Sequence, residues 1–439
     1  ITKNRFVMKT KQKYSILITV MIFMLLITSI TTSWAVDFQR NRKSQESDTL
    51  SYVSFKGKIV DAQTNKPLVF ASVTVADENT ATITNLDGEF LIKISKATKS
   101  KALFISFLGY YNLTYPLLKL KAEGNVLEME PAMISLNEVQ VFPDAPKDMV
   151  RAMLKRIGQN YENKANTMKG FYRESVKKRN TYVGLSEAVV DIYKAPYTRS
   201  IDDRIRISKG RKGMDERKMD TILFKLQGGP VNALLLDAMK NPELLINEEM
   251  LEHYEFVIEN MIKIDQKLNY VIGFKEVHKI DNYPLYEGRL FIDMETFALS
   301  AADFSLNLDL PEEASRLFIK KKPFSAHVTP TIAKYSIKYR EQNGKWYFNY
   351  GIGEVQFKVK WKRKLFSNIY TLKSEIAITD RNEDDGEMIT NRERFKKNEV
   401  LNDKVGIFSD QNFWGKYNTI EPDKSIEVAI RKLNRAMSR

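Results

Sequence analysis

The chain has 439 residues, with 43% hydrophobic and 11% aromatic side chains, enough to build cores for two or three domains and to exclude wholesale disorder. It contains no cysteine, which excludes disulfides, thiolate metal sites, cysteine nucleophiles and an acylated-cysteine anchor. Its formal charge of +14 favours contact with anionic surfaces such as lipid headgroups or acidic polysaccharide and carries no information about the fold.

The first 35 residues have the layout of a secretory leader. Lys9, Lys11 and Lys13 form a basic region, and Met8 just before them is read as the start. Ser15 to Ile30 is an apolar run broken only by Thr19, Thr28 and Ser29, and Ser33-Trp34-Ala35 supplies small residues before a cut after Ala35. The run is short for a membrane span, which needs about 20 residues, so cleavage is expected rather than anchoring. Export to the periplasm or to an outer-membrane-associated location follows. Without Lys3, Arg5, Lys9, Lys11 and Lys13, the chain keeps 64 basic against 55 acidic residues, a net +9. Residues 36–50, including the polar run Gln39 to Asp48, read as a linker.

From Ser51 the texture changes to short strands. Val53, Phe55, Gly57 and Ile59 alternate with Ser54, Lys56 and Lys58, as a half-buried strand requires. Asp61 to Pro67 is a turn cluster, and Ala71, Val73 and Val75 alternate again. Asn85-Leu86-Asp87-Gly88 signals a hairpin, Phe90, Ile92 and Ile94 share a face, and Leu103 to Leu108 is a continuous apolar strand. About seven strands with regular turns predict a small sandwich. Gly57-Lys-Ile-Val-Asp61, Lys66-Pro67-Leu68, Thr84-Asn-Leu-Asp-Gly88-Glu-Phe90 and Phe107-Leu-Gly109-Tyr110 resemble the carboxypeptidase regulatory-like domain, a transthyretin-like β-sandwich of bacterial envelope proteins. The resemblance covers residues 51–131, with Asn85 standing where Asp is usual. Leu136 to Val141, within a linker at 132–147, resembles the short strand that follows this domain in TonB-linked outer-membrane proteins. The plug and barrel of those proteins do not follow it, so transport is not implied.

Asp144 and Pro146 are placed to open a helix carrying Met149, Val150, Met153, Ile157 and Tyr161 on one face. Strands are then expected at Gly170 to Glu174 and Tyr182 to Tyr193, and a helical stretch from Val231 to Glu252, interrupted at Pro242. Further strands are expected at 254–264, 269–277, 286–293 and 299–308. Val355, Phe357, Val359 and Trp361 alternate with Gln356, Lys358 and Lys360, and Tyr370, Leu372, Ile376 and Ile378 answer them, the pattern of a solvated antiparallel pair. Glu287-Gly288-Arg-Leu290-Phe-Ile292-Asp293-Met-Glu295-Thr296 resembles the hairpin of lipoprotein-carrier half-barrels, which implies a curved antiparallel sheet able to hold an acyl chain.

The residues offer little chemistry. A zinc carboxypeptidase needs a His-x-x-Glu pair and a distant His, because tetrahedral zinc takes three protein ligands and an open position. His253, His278 and His327 are each unpaired and none has Glu three residues on, so the accessory sandwich is read without the peptidase. No Gly-x-Ser-x-Gly elbow occurs, and Gly228-Gly229-Pro230 lacks the lysine of a phosphate loop. Asp380 to Gly386 lacks the glycine and glutamate positions of a calcium loop. Asp202-Asp203 and Glu312-Glu313 are sequence neighbours, which on strands point to opposite faces. Lys358, Lys360, Lys362, Arg363 and Lys364 with Trp361 are the candidate anionic-surface contacts, and Lys320 to Lys322 form a second basic run. Export makes nucleic acid the wrong partner for them and lipid the better one.

These observations predict a mainly β protein: a seven-stranded β-sandwich at 51–131, an α+β domain with a large curved antiparallel sheet at 148–420, and a C-terminal helix at 421–439. No catalytic residue, metal or cofactor is assigned. The expected role is a non-catalytic envelope binding or scaffolding protein whose partner is an envelope protein, lipid or glycan, with peripheral outer-membrane contact. The alternatives are a lipid or acyl-chain carrier and a glycan-active enzyme with a carboxylate pair in 150–420.

Overall fold

A computed structural model describes residues 51–132, 145–215, 228–280, 283–318, 324–362, 364–382, 386–407 and 413–437. The leader, the 36–50 linker and the 136–141 strand lie outside these residues. The alternation in the first module becomes β1 (Tyr52–Asp61), β2 (Ser72–Val75), β3 (Ala81–Ile83), β4 (Glu89–Ser95), β5 (Ala102–Ser106), β6 (Leu113–Pro116) and β7 (Asn125–Met129). They form a three-stranded sheet in the order β4-β1-β7 and a four-stranded sheet in the order β3-β2-β5-β6. Ile59, Phe90, Ile92 and Leu127 from the first sheet meet Val73, Val75, Leu103 and Ile105 from the second, all buried. Asn85 performs the turn task of the usual Asp: its Oδ1 accepts the Asp87 and Glu89 amides at 2.9 and 2.8 Å, and Gly88 takes φ 74°.

The second module opens with helices α1 (Pro146–Lys155) and α2 (Ile157–Asn160) and continues as β8 (Asn166–Lys178), β9 (Thr181–Lys194) and β10 (Arg204–Met214). After α3 (Gly229–Leu234) come β11 (Tyr254–Ile264), β12 (Lys267–Glu276), β13 (Tyr286–Asp293) and β14 (Leu299–Leu306). After α4 (Pro311–Phe318) come β15 (Ala326–Gln342), β16 (Lys345–Trp361), β17 (Asn368–Asn382), β18 (Gly406–Ile407) and α5 (Lys424–Met437). Strands β8 to β18 make one curved eleven-stranded sheet, not a closed barrel, in the order β11-β12-β13-β14-β15-β16-β17-β8-β9-β10-β18. The expected answer between Val355, Phe357 and Leu372, Tyr370 is the β16–β17 register.

The strand order dictates the packing. β10 and β11 lie near opposite margins of the sheet, so the chain between them crosses one face. That crossing is why Val231 to Glu252 is not the helix its apolar content predicts. Only α3 and two 3-10 turns, Pro242–Leu244 and Glu249–His253, are helical. Ala233, Leu234, Ala238, Met239, Leu245, Ile246 and Leu251 are spent in the core, with α1 residues Met149, Val150 and Met153 and sheet residues Tyr172, Val190, Ile292 and Trp346. Among the described residues this inner face carries the side chains just named, and the recess under α3 beside Asp203 holds about 40 Å³.

The other face takes the sandwich. Phe171, Val189, Tyr350 and Ala377 of the sheet pack with Ile83 and Phe70 of the sandwich and with Trp414 and Ile420. The segment before α5 straps the two together. Lys56 pairs with Glu421 at 2.6 Å, Lys93 Nζ donates to the Gly415 and Tyr417 carbonyls at 2.5 and 3.1 Å, and Thr82 Oγ1 donates to the Thr419 carbonyl at 3.0 Å. Burial pushes the Lys93 ammonium down to about 8, against an opposing pull from Glu421.

One further expectation is corrected here, for Glu312 and Glu313, whereas Asp202 and Asp203 do point opposite ways. Glu312 and Glu313 stand in the first turn of α4, not on a strand, where carboxylates favour the helix dipole. Asp202 is exposed, whereas Asp203 turns inward to Lys194. The Gly288 position carries a prediction of its own: a Cβ there would collide with the Asp303 carbonyl of β14. Gly288→Ala is expected to lower stability by about 1–3 kcal/mol through overpacking between β13 and β14. Urea unfolding with an unchanged midpoint would show that the two strands yield freely.

Candidate functional site

At one end of the long strands, three turns meet. The β16–β17 turn carries Lys362, Lys364, Leu365 and Phe366; Phe324 precedes β15; and the β8–β9 turn carries Arg179. They converge because Ala326 pairs with Trp361, Lys358 with Ile369, and Tyr370 with Lys178. The Arg179 amide donates to the Ile369 carbonyl at 2.7 Å, tying the β8–β9 turn to β17. The Lys362 amide donates to the Ser325 carbonyl at 2.9 Å, and its ammonium lies 3.9 Å above the Phe324 ring.

Three apolar side chains stand out of this rim into solvent: Leu365 is 92% exposed, Phe324 91% and Phe366 78%. Around them Lys358, Lys360, Lys362, Lys364 and Arg179 are exposed, and Lys177 and Lys178 are half-buried. The strand ends and turns that build the rim (176–182, 324–331 and 355–371) contain no Asp or Glu. Single exposed apolar residues are ordinary on a protein surface; here three are gathered at turn tips and ringed by one sign of charge.

The sequence-predicted residues divide between the two faces. Val355, Phe357 and Val359 face a core cluster that includes Val176, Val328 and Tyr370, while Lys358 and Lys360 alternate to the exposed side. Trp361 is half-buried against that cluster, with the Lys364 ammonium 5.7 Å from its ring. Arg363 and Lys320 to Lys322 fall outside the described residues. The β8–β9 cations, Phe324 and the Leu365-Phe366 pair were missed. A sequence signal existed for the pair, two apolar residues in a lysine-rich turn, but none linked residue 178 to residue 370.

Acids converge elsewhere, in buried ion clusters built from residues far apart in the chain. Lys194, fully buried at the end of β9, donates to Asp203 Oδ2 at 2.5 Å and contacts Asp237 Oδ2 at 2.6 Å. Tyr197 and Tyr339 hydroxyls donate to Asp237 at 2.7 and 2.8 Å, and the Ala195 amide donates to Asp203 Oδ1 at 2.8 Å. Burial alone would push the Lys194 ammonium down, but the two carboxylates outweigh it and hold it above its ordinary value. On the opposite face Arg173 binds Glu187 at 2.7 Å, Glu375 at 3.4 Å and the Ile420 carbonyl at 2.8 Å, and Arg211 takes the second Glu187 oxygen at 2.8 Å. Glu174 is different. It is buried and, among the described residues, accepts hydrogen bonds from the Tyr172 hydroxyl, at 2.8 Å, and Ser186, and burial raises its carboxyl to about 7. The three histidines do not join these clusters; His253 Nδ1 bonds the His278 carbonyl at 2.8 Å, and His278 and His327 are exposed.

Residues 55–141 match the model of the CarboxypepD_reg-like domain. The sandwich is thus the regulatory-like domain, and the curved sheet lies beyond the match. No curated protein matches the sequence. Among solved structures, a LolA superfamily protein from Nitrosomonas europaea is similar at 7% identity and TM-score 0.23, covering 58% of this chain and 98% of its own. A DUF1329 family protein from Desulfovibrio piger is similar at 10% identity and TM-score 0.24, covering 56% and 96%. A putative outer-membrane lipoprotein-sorting protein domain from Vibrio parahaemolyticus is similar at 8% identity and TM-score 0.24, covering 55% and 94%. Likeness at these scores carries no weight for function.

Proposed function

We propose that the chain is an exported, non-catalytic envelope protein that docks on an anionic membrane surface through the rim, with the regulatory-like domain and the curved sheet as its rigid body. The observation that carries this reading is the convergence of Leu365, Phe366 and Phe324 with seven cations and no acid, drawn from three separate turns. A cation near an anionic membrane surface contributes about 1 kcal/mol, and burial of a Leu or Phe side chain about 1.5–3 kcal/mol. The two terms together are of the size that stable peripheral attachment needs. Non-catalysis is supported by the state of the buried acids: Asp203 and Asp237 share one ammonium, and Glu187 is held by two arginines. The carrier alternative has less support, because the inner face is occupied by aromatic and aliphatic side chains.

Vesicle sedimentation of the chain lacking residues 1–35 tests the proposal. Binding is expected to vesicles containing phosphatidylglycerol, with loss at high salt as the charges are screened. Leu365→Ser with Phe366→Ser is expected to weaken binding at least about tenfold, as two lost side-chain insertions imply. Gln at Lys358, Lys360, Lys362 and Lys364 is expected to abolish the preference for anionic over neutral vesicles. Unchanged partition of both variants would end the proposal.

A further inference from the structure

Where the sandwich rests on the sheet, a recess of about 40 Å³ is left between them. The sandwich lines it with Phe70, Ser106 and Phe107, and the sheet lines it with Asp265, Lys338 and Arg340.

Backbone geometry brings the acid there. Ile264 pairs with Lys267, so β11 returns into β12 through two residues, Asp265 and Gln266, at φ 49° and 64°. Such a turn needs left-handed backbone at both positions, which aspartate tolerates better than most side chains. The Gly109 amide donates to the Lys263 carbonyl at 3.2 Å and holds the loop after β5 against this turn. Lys338 and Arg340 stand two residues apart on β15 and so share a face.

The polar groups of the recess are incompletely matched among themselves. Asp265 Oδ1 is buried and has no hydrogen-bond partner among the described residues. Burial raises the Asp265 carboxyl above the usual range, although the Ser106 hydroxyl bonds it. The Arg340 side chain makes no hydrogen bond or ion pair with any described residue, and burial pushes its guanidinium down against the pull of Asp265. The Lys338 ammonium donates to the Phe70 carbonyl at 2.9 Å and lies 5.2 Å from the Phe107 ring. Burial brings it down to about 8, so it is charged at neutral pH. A buried acceptor without a donor is costly, and a guest that supplies the donor removes the cost.

We propose that this recess binds a small hydroxy-carboxylate, with its carboxylate on Arg340 and Lys338 and its hydroxyl donating to Asp265 Oδ1. A guanidinium and an ammonium on one face match a carboxylate. The bare Asp265 oxygen requires a donor beside that carboxylate. The lining carries two cations and one acid, so a singly charged anion balances it, whereas an amino-acid zwitterion leaves the excess. The space holds roughly three oxygen-sized atoms, the number of oxygens in a glycolate unit. Because the lining comes from both modules, the bound acid would brace them against each other.

The test is calorimetry and thermal unfolding of the full chain with glycolate, acetate, glycine and chloride at matched ionic strength. Glycolate is expected to raise the melting temperature most. It is expected to bind about tenfold more tightly than acetate, which lacks the hydroxyl. Glucuronate binding as well as glycolate would identify a sugar acid as the source, and glycolate binding alone would identify a free hydroxy acid. Arg340→Gln is expected to weaken glycolate binding about 10–100-fold, the loss of a charge-assisted bond. Asp265→Gly suits the left-handed turn and so guards against a folding defect; it is expected to erase the preference for glycolate over acetate. Glycolate stabilisation no greater than that of acetate, glycine or chloride, or an unchanged preference in folded Asp265→Gly, would overturn the proposal.

Discussion

Lys194→Met is expected to destabilise the protein by about 3–5 kcal/mol, the cost of stranding buried charge. Met fills nearly the same volume, so the loss would be electrostatic. The ammonium is the shared partner of Asp203 and Asp237, and Asp237 is fully buried while the Asp203 side chain is only 10% exposed. The effect would spread, because Asp237 belongs to the crossing segment and is bonded by Tyr197 and by Tyr339 of β15. Losing the lysine therefore loosens the attachment of that segment to two parts of the sheet. Adding Asp237→Asn to the variant is expected to recover part of the loss by removing one uncompensated charge. Urea unfolding of the single and double variants measures both effects; a single-variant loss below about 1 kcal/mol would mean that the cluster is solvated.

Glu174→Gln is expected to stabilise the protein above neutral pH and to leave it almost unchanged near pH 4.5. The Glu174 carboxyl has an ordinary value of 4.5 and is raised to about 7 in the folded protein, chiefly by burial. Between those values the folded state binds the extra proton, so stability falls as pH rises through the window. Below about 4.5 both states are protonated and there is no penalty; above about 7 the buried carboxylate is charged and the penalty is complete. Glutamine is neutral throughout and keeps an oxygen for the Tyr172 hydroxyl. The variant is therefore expected to be more stable than wild type by roughly 3 kcal/mol at pH 8 and nearly equal to it at pH 4.5. Melting temperatures across this range check it, and a difference independent of pH would place Glu174 in contact with water.

Much of the architecture was legible because it rests on local pattern. The two-residue alternation of Val355 to Trp361 against Tyr370 to Ile378 placed both strands and their buried faces. The turn chemistry of Asn85 to Gly88 placed a turn but not the expected hairpin, because the chain there passes from β3 in one sheet of the sandwich to β4 in the other. The Gly288 to Thr296 stretch belongs to a hairpin as expected, β13 pairing with β14 and Asp293 Oδ1 accepting the Thr296 amide at 2.8 Å across the turn. The stretch from Val231 to Glu252 was misread for a physical reason. Apolar residues that cross a sheet in contact with core on several sides have no obligation to a helical period. The rim was half legible: Lys358 to Lys364 stand together in the chain, whereas Arg179 reaches them only through the β8–β17 pairing.

What the sequence determined by itself was the kind of surface each strand would have, since side-chain direction alternates with every residue and polarity is written residue by residue. Which strands became neighbours was decided only in the tertiary structure, because hydrogen-bond pairing between edges depends on the path of the whole chain. That pairing put Lys194 between two distant aspartates, brought Asp265 into one recess with Lys338 and Arg340, and gathered three turns into one cationic rim.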